Sequence, residues 1–214
     1  MNINVKVESN LDKAGIFVAS MYKQMRFATA NAINSTAFDA RTSLSGATRQ
    51  YFNNPTPFTQ KGFQVEKANK TNLVGIVGAE SKRGRYLRTQ IKGGDRGVKP
   101  FERRFGLGRL VPAAIKLNSY GNPTKPAITK LGAAINPTGN GSVFVGTPKG
   151  GNRQPGVWQR QGRGGRDRLV PMFITATPRY QAKYPMEEIV NKVIQRRFNF
   201  YFQSSLQKAI ASAR

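Results

Sequence analysis

The stretch DKAGIFVASMYKQMRFATANAINSTAFDARTSLS, from Asp12 to Ser45, contains no proline, and its only glycine lies in its opening turn. Small and apolar residues recur in it at steps of three and four, the spacing of one face of an α-helix. These residues form what we call the apolar stripe: Val18, Tyr22, Met25, Thr29, Ala32, Thr36, Ala37, Ala40 and Leu44. The spacing predicts one long helix, which Asn10 or Asp12 caps and Gly46 ends.

This predicted helix is longer than a small domain needs. About 30 residues reach roughly 45 Å, because each helical residue adds about 1.5 Å. The stripe is rich in alanine and threonine, so a neighbouring element can approach it closely. The helix is therefore either a core helix of its own domain or one that also packs against a neighbouring subunit.

A second long helix is predicted from Pro185 to Ala213, where apolar residues again recur at helical spacing. Pro185 suits the start of a helix, and Glu187 and Glu188 in the first turn favour the positive end of the helix dipole. We expect the apolar residues of the two helices to meet in one buried cluster or interface. That cluster comprises Tyr22, Met25, Ile33, Phe38, Val190, Ile194, Phe198 and Phe202.

Short strands are predicted between the two helices and before the first one. Alternating or apolar runs mark them at Asn2–Val7, Phe63–Ala68, Leu73–Val77, Val143–Val145, Gly156–Arg160 and Leu169–Thr175. The second and third form a hairpin with a four-residue turn. Pro171 places the last strand at a sheet edge or at a bulge, and Pro100 and Pro126 are suited to open short helices.

These elements predict the α+β class and a single structural domain over residues 1–214. A small antiparallel sheet is built from the strands at 63–77, 143–145 and 169–175, and the long N-terminal and C-terminal helices flank it. Extended basic loops rich in glycine and arginine are expected at about 79–110 and 147–168. Pro178–Pro185 is expected to be a linker.

Charge is the strongest compositional signal. The chain has 35 Lys and Arg against 10 Asp and Glu, a net charge of +25, which favours polyanions or acidic protein surfaces as partners. The basic residues of the two loops are candidate contacts to a subunit or to DNA: Arg83, Arg85, Arg88, Lys92, Arg96, Arg103, Arg104, Arg160, Arg163 and Arg166. The alternative is that these loops are solvated and have no specific partner.

The sequence offers little for catalysis. It contains no cysteine and no histidine, so the commonest general base and the usual soft metal ligands are absent. Only Glu187 and Glu188 are adjacent among the ten carboxylates, and adjacent helical residues do not converge on one point. We therefore predict no catalytic residues, no metal site and no cofactor. No signal peptide and no apolar run of about 20 residues is present, so no membrane association is expected.

Nucleic-acid binding is the main alternative function. Lysines and arginines would neutralise phosphates, and Tyr86, Phe101, Phe105 and Trp158 would be available for stacking on bases. The chain has no zinc-finger spacing, RNP motif, KH loop or helix-turn-helix pattern. The alternative therefore depends on charge alone.

The order of several short motifs is more informative than any one of them. FATANAINSTAFDARTSL at Phe27 is followed by NNPTPFT at Asn53 and YLRTQIKGGDRGVKPFERRF at Tyr86. The later motifs are LVP at Leu110, LNSYGN at Leu117, PGVWQR at Pro155, LVPMFI at Leu169 and RRF at Arg196. From about residue 20 onward, this order resembles the minor tail and tail-completion proteins of bacteriophages and prophages, the protein Z-like group, and related neck proteins.

The resemblance implies an α+β protomer that assembles as a homo-oligomeric ring at the head–tail junction, without an active site. Its partners would be copies of itself, other neck, portal or tail proteins, and packaged DNA in the channel. It would be assembled in the bacterial cytoplasm and located in the virion. A basic nucleic-acid-binding protein and a capsid-associated decoration or scaffold protein remain the alternatives.

Overall fold

The computed structural model describes residues 11–79, 81–135, 141–162 and 168–212. Contacts divide the chain into two compact units instead of the predicted single domain: unit 1 comprises Met1–Leu87 and Lys183–Arg214, and unit 2 comprises Arg88–Ala182. The α+β class is confirmed, with a long N-terminal helix, small antiparallel sheets and a long C-terminal helix. The strand predicted at Asn2–Val7 lies outside the described residues.

Unit 1 is built on two long helices, α1 (Leu11–Tyr51) and α6 (Met186–Ser212), which pack against each other. The prediction that Gly46 ends α1 is wrong, because the helix continues for five more residues. Leu44 and Thr48, on either side of Gly46, are fully buried. Packing of these side chains outweighs the roughly 1 kcal/mol that glycine costs inside a helix.

Short helix α2 (Pro57–Gln60) follows α1, and the hairpin of β1 (Phe63–Glu66) and β2 (Ile76–Ala79) comes next. The two strands are antiparallel, with Phe63 opposite Ala79. The hairpin is confirmed, but β2 begins three residues later than predicted. The reason is that residues of α1 form hydrogen bonds to the segment that connects β1 and β2. Asn34 donates to the Ala68 carbonyl (3.0 Å) and accepts from the Ala68 N–H (2.8 Å), and Arg26 donates to the carbonyls of Lys70 and Thr71.

The aromatic centre of unit 1 is Tyr184, which lies two residues before the start of α6 and is 2% exposed. Its ring stacks on Phe52 and Phe63, with centroids 5.2 and 5.8 Å away, and meets the edge of Tyr51. Its hydroxyl donates a 2.5 Å hydrogen bond to the Leu44 carbonyl of α1. Tyr184 therefore fixes the start of α6 against the end of α1 and against β1.

Unit 2 contains a four-stranded antiparallel sheet in the order β4-β7-β6-β5. Its strands are β4 (Leu110–Pro112), β5 (Val143–Gly146), β6 (Gly156–Gln161) and β7 (Arg168–Thr175), and the helices α4 (Pro100–Phe105) and α5 (Lys125–Ala133) contribute to the same core. That core comprises Phe105, Leu110, Ile115, Leu131, Val143, Val157, Met172 and Phe173. The predicted single sheet is therefore wrong, since the hairpin at 63–79 belongs to unit 1.

Pro171 lies in β7, an inner strand, so the predicted edge position is wrong and the predicted bulge is confirmed. Val157 pairs with Phe173 and Trp158 with Pro171, so one residue of β7 is left over at this point. Nearby, Gly156 faces Ile174 so closely that a Cβ would lie 2.3 Å from the Phe173 carbonyl oxygen. Only glycine allows the two strands to pair here.

Two segments predicted to be irregular contain regular structure. Residues 79–110 include α3 (Ser81–Lys92), β3 (Gly94–Asp95) and α4, because Leu87 and Thr89 are buried and Phe105 enters the core. The predicted linker at 178–185 includes β8 (Arg179–Tyr180), which pairs with β3. Within 147–168, residues 147–155 are irregular, and β6 and β7 occupy its described end.

Tyr184→Phe should lower the free energy of unfolding by about 0.5–1.5 kcal/mol at neutral pH, because it removes one buried hydrogen bond. Burial, and to a lesser extent Tyr51, raises the pKa of Tyr184 above the ordinary tyrosine value. The stabilisation that the neutral Tyr184 hydroxyl provides is therefore complete below pH of about 10 and is lost as the pH rises further. Urea denaturation at pH of about 8 and about 11 should show a smaller alkaline loss for the Phe variant than for the wild type. Equal alkaline losses would contradict the role of Tyr184.

Candidate functional site

An apolar groove of about 440 Å³ opens in unit 1. Three elements line it: α1, the segment 73–77 that leads into β2, and α6. We call it the groove, and its lining residues are Ile33, Thr36, Ala37, Ala40, Leu73, Val74, Gly75, Val77, Val190, Ile194 and Phe198. Its volume is in the range of clefts that bind ligands, roughly 300–1,000 Å³.

The groove depends on small residues. A Cβ on Gly75 would lie 2.6 Å from Cγ2 of Ile33, so glycine lets the segment before β2 approach α1 closely. Thr36, Ala37 and Ala40 of α1 are also small and buried. On the other sides of the groove, large apolar side chains are exposed to solvent: Val74 is 57% exposed and Ile194 is 44% exposed. Small buried residues therefore form the base of the groove, and solvent-exposed apolar side chains form its walls.

The apolar stripe of α1 divides into a covered half and an uncovered half. Thr36, Ala37, Ala40 and Leu44 are buried, whereas the earlier stripe residues Val18, Tyr22 and Met25 are 65%, 59% and 47% exposed. We call these three residues the ridge. The prediction that Tyr22, Met25 and Ile194 belong to a buried cluster is wrong, because no described element covers them sufficiently.

The other predicted helix residues lie in or near the groove. Ile33, Val190 and Phe198 line it, and Phe202 stacks on Phe198 with ring centroids 6.1 Å apart. Phe38 is half-buried, and the cationic groups of Arg41 and Lys67 lie 5.2 and 5.4 Å from its ring centre. The apolar residues of the two helices therefore face each other along the groove, which is open to solvent and is not a closed core.

A polar contact that the helical spacing does not reveal also joins the helices. The Tyr201 hydroxyl donates to Oδ2 of Asp39 at 2.7 Å, and Arg197 lies 3.9 Å from the same oxygen. The hydrogen bond to Asp39 raises the pKa of Tyr201. Asp39 is the only acidic residue between Asp12 and Glu66, and this isolation within a basic segment is the one sequence signal that marks it.

In unit 2, the Arg96 side chain is largely covered and is paired with a carboxylate. Its guanidinium donates to both carboxylate oxygens of Glu102, at 2.8 and 2.5 Å, and to the Leu110 carbonyl at 2.9 Å. Glu102 is fully buried and also accepts the backbone N–H groups of Lys99 and Leu110. This pair ties the β3–α4 loop to α4 and β4. The prediction that Arg96 contacts a partner is therefore wrong, because its hydrogen bonds are used within unit 2.

Burial by itself would raise the pKa of Glu102. The Arg96 hydrogen bonds, the two backbone N–H donors and the positive charge of Arg96 outweigh it, so the pKa of Glu102 lies below its usual value. The hydrogen bond to Glu102 likewise raises the pKa of Arg96, despite the opposing effect of burial. Both groups are therefore held in their charged forms.

Other predicted basic contacts are on the surface. Arg88 and Lys92 of α3 are exposed, as are Arg103 and Arg104 of α4. Arg160 of β6 is also exposed, and its guanidinium lies 5.1 Å from the Phe144 ring centre. Arg163 and Arg166, and the side chains of Arg83 and Arg85, lie outside what the structure describes. Of the described members of this set, Arg96 is paired with Glu102, and the others are exposed on α3, α4 and β6.

The aromatic residues proposed for base stacking are mostly inside unit 2. Phe105 and Trp158 are each 6% exposed, and Phe101 packs against the core beside Phe173. Burial leaves the rings of Phe105 and Trp158 inaccessible to a base, so that expectation is wrong for these two residues, whereas Phe101 is half-buried. The side chain of Tyr86 lies outside what the structure describes.

The described residues offer neither a metal centre nor a membrane span. Across residues 11–79, 81–135, 141–162 and 168–212, no group of three or more His, Cys, Asp and Glu is placed to hold a metal ion. Within the same residues, no helix combines the length and the apolar character needed to cross a membrane. No family model, curated protein or solved structure matches the chain at a significant level.

Glu102→Gln should lower the free energy of unfolding by about 3–5 kcal/mol, because the largely covered Arg96 would be left without its carboxylate. Asp95→Asn is the matched control, since Asp95 is 43% exposed and pairs with Arg109 at 3.3 Å. An exposed pair contributes at most about 1 kcal/mol.

Because the pKa of Glu102 is lowered on folding, its contribution is present above the ordinary glutamate value of about 4.3 and is lost as the pH falls below it. Chemical denaturation at neutral and acid pH measures both effects. A Gln variant as stable as the Asn control would show that the pair does not hold unit 2 together.

Proposed function

We propose that this chain is a non-enzymatic structural subunit of a bacteriophage particle, a neck or tail-completion subunit that joins head and tail as part of an oligomeric ring. The observation that carries the proposal is the uncovered apolar surface of unit 1. The ridge and the groove both expose large apolar side chains, and contiguous apolar surface of this kind marks protein–protein contact. A protein that acts by assembling would cover such surface in its particle.

Two further features support this function over catalysis. The order of motifs along the chain resembles tail-completion and neck proteins, and the chain has neither histidine nor cysteine. The net charge of +25 fits a subunit whose neighbours are acidic proteins or packaged DNA. A decoration or scaffold protein of the capsid shares these features, so the stage at which particle assembly stops must separate these roles.

The chain should be found in purified particles by mass spectrometry. In an infection that lacks it, heads should fill with DNA and tails should form, but the two should not join. Electron microscopy of lysates, with the wild-type chain supplied in trans as the control, measures the fraction of joined particles. Absence of the chain from particles would refute the proposal. Failure of heads to form or to fill would favour a scaffold or packaging role.

Nucleic-acid binding is the second candidate, and the charge balance of unit 2 favours it. Residues 88–182 contain 17 Lys and Arg but only 3 Asp and Glu. Of these carboxylates, Asp95 and Glu102 each pair with an arginine, and Asp167 lies outside the described residues. Most of the positive surface is therefore not neutralised by carboxylates in the described part of unit 2.

If Arg103 and Arg104 contact phosphates, replacing both with serine should reduce the salt dependence of duplex DNA binding. The log–log slope should fall in magnitude by about 1.8, or about 0.9 for each phosphate that is no longer neutralised. Replacing the exposed Arg196 and Lys208 of α6 with serine removes the same charge and is the control. Fluorescence anisotropy over a range of salt concentrations measures the slope. Equal reductions in both variants would show that only the net charge attracts DNA.

A further inference from the structure

We propose that the ridge of one copy of this chain inserts into the groove of a second copy. The interface is head-to-tail, because the ridge and the groove are different surfaces of the same protomer. This inference rests on the proposed function as a ring subunit, and it identifies the surfaces through which copies join.

The ridge continues a face that the protomer already buries. Val18, Tyr22 and Met25 belong to the same helical stripe as Thr36 and Ala40. Thr36 and Ala40 are 4% and 1% exposed, whereas the ridge residues are 47–65% exposed. The stripe is thus one apolar face of which the protomer covers only the C-terminal part. Within the described residues of unit 1, no element covers the rest of this face.

The dimensions of the two surfaces match. Val18, Tyr22 and Met25 follow the i, i+4, i+7 pattern of helices that bind in apolar grooves, and they span about 10.5 Å along α1. The groove is lined on α6 by Val190, Ile194 and Phe198, which span about 12 Å. Thr36, Ala37 and Ala40 form a base of small side chains between these apolar walls.

A protomer cannot fill its own groove with its own ridge. The helix α1 is uninterrupted from Leu11 to Tyr51, and Met25, the ridge residue nearest the groove, lies 8 residues before Ile33. That places the ridge about 12 Å or more along the same helix axis from the nearest groove residue on α1. A ridge that fills this groove must therefore belong to a second copy of the chain. A head-to-tail contact of this kind forms a ring if the rotation closes and a filament if it does not.

Local charges favour a second copy as the occupant. Lys23 is exposed next to Tyr22 on α1, and Glu187 is exposed one turn before Val190, at one end of the groove on α6. These opposite charges lie on the two surfaces that would meet. The apolar lining of the groove offers nothing to a phosphate backbone, so nucleic acid is a poor occupant.

Charge variants on each surface test the contact. Tyr22→Glu blocks the ridge and Ile194→Glu blocks the groove, and both positions are exposed enough for the protomer to remain folded, which circular dichroism checks. Sedimentation should be measured at roughly 1 M salt, where the Debye length falls to about 3 Å and repulsion between these basic copies is screened. The wild type should self-associate, and each variant alone should be monomeric. Tyr120→Glu, at an exposed tyrosine of unit 2, should associate like the wild type.

Mixing the two variants is the decisive step. The groove variant keeps an intact ridge and the ridge variant keeps an intact groove, so a 1:1 mixture should form heterodimers and nothing larger. The chain has no cysteine, which allows a second measurement with Tyr22→Cys and Ile194→Cys. Oxidation of the mixture should give a disulfide-linked heterodimer, at least tenfold more abundant than cross-linked dimers of either variant alone.

Several results would overturn the proposal. A monomeric wild type, or a mixture that stays monomeric, would exclude the contact. Association by the Ile194→Glu variant, together with cross-linking of Tyr22→Cys to itself, would indicate ridge-to-ridge pairing instead. The two proposals can fail separately. If the chain is present in particles but both variants associate like the wild type, the proposed function stands and this interface is refuted. If the variants form heterodimers but the chain is absent from particles, the interface stands and the proposed function is refuted.

Discussion

Unit 1 depends on the continuity of α1, which presents one apolar face over a greater length than the other described residues of the unit cover. Along its C-terminal part, the small residues of this face let α6 and the hairpin connection pack closely, and Tyr184 secures the junction. Along its N-terminal part, the same periodicity presents Val18, Tyr22 and Met25 to solvent. A shorter helix would leave no such surface, so the length of α1 makes unit 1 a candidate for assembly.

In unit 2, one buried ion pair organises the basic segment around α4. Glu102 accepts hydrogen bonds from the Arg96 guanidinium and from two backbone N–H groups, so it joins a loop, a helix and a strand. Removing its charge should destabilise unit 2, because the largely covered Arg96 guanidinium would lose its carboxylate partner. The same pair shows that a dense run of positive charge contains residues with different roles. Arg96 is structural, whereas Arg103 and Arg104 in the next helix are exposed.

The different roles of these arginines affect how the net charge of +25 is interpreted. The exposed positive charge of the described part of unit 2 is spread over α3, α4 and the sheet. Such a surface attracts polyanions and acidic proteins over a distance and accelerates association, but it selects neither. The apolar surfaces of unit 1 offer the more specific contact, since their shape and spacing restrict what can bind. A subunit with both features would be steered by charge and positioned by apolar packing.

The sequence alone determined the two long helices, two of the short helices, most of the strands and the α+β class, but not α2 or α3. Periodicity predicted α1 and α6, Pro100 and Pro126 marked the starts of α4 and α5, and Pro171 marked the bulge in β7. These features depend on local spacing or on a backbone property of one residue, so they can be read without the fold. The tertiary structure decided which strands share a sheet, because pairing depends on contacts between residues far apart in the chain. It also decided that Tyr22 is exposed and that Arg96 is largely covered and paired with Glu102, since neither a helical stripe nor a run of arginines indicates which of its residues another element covers.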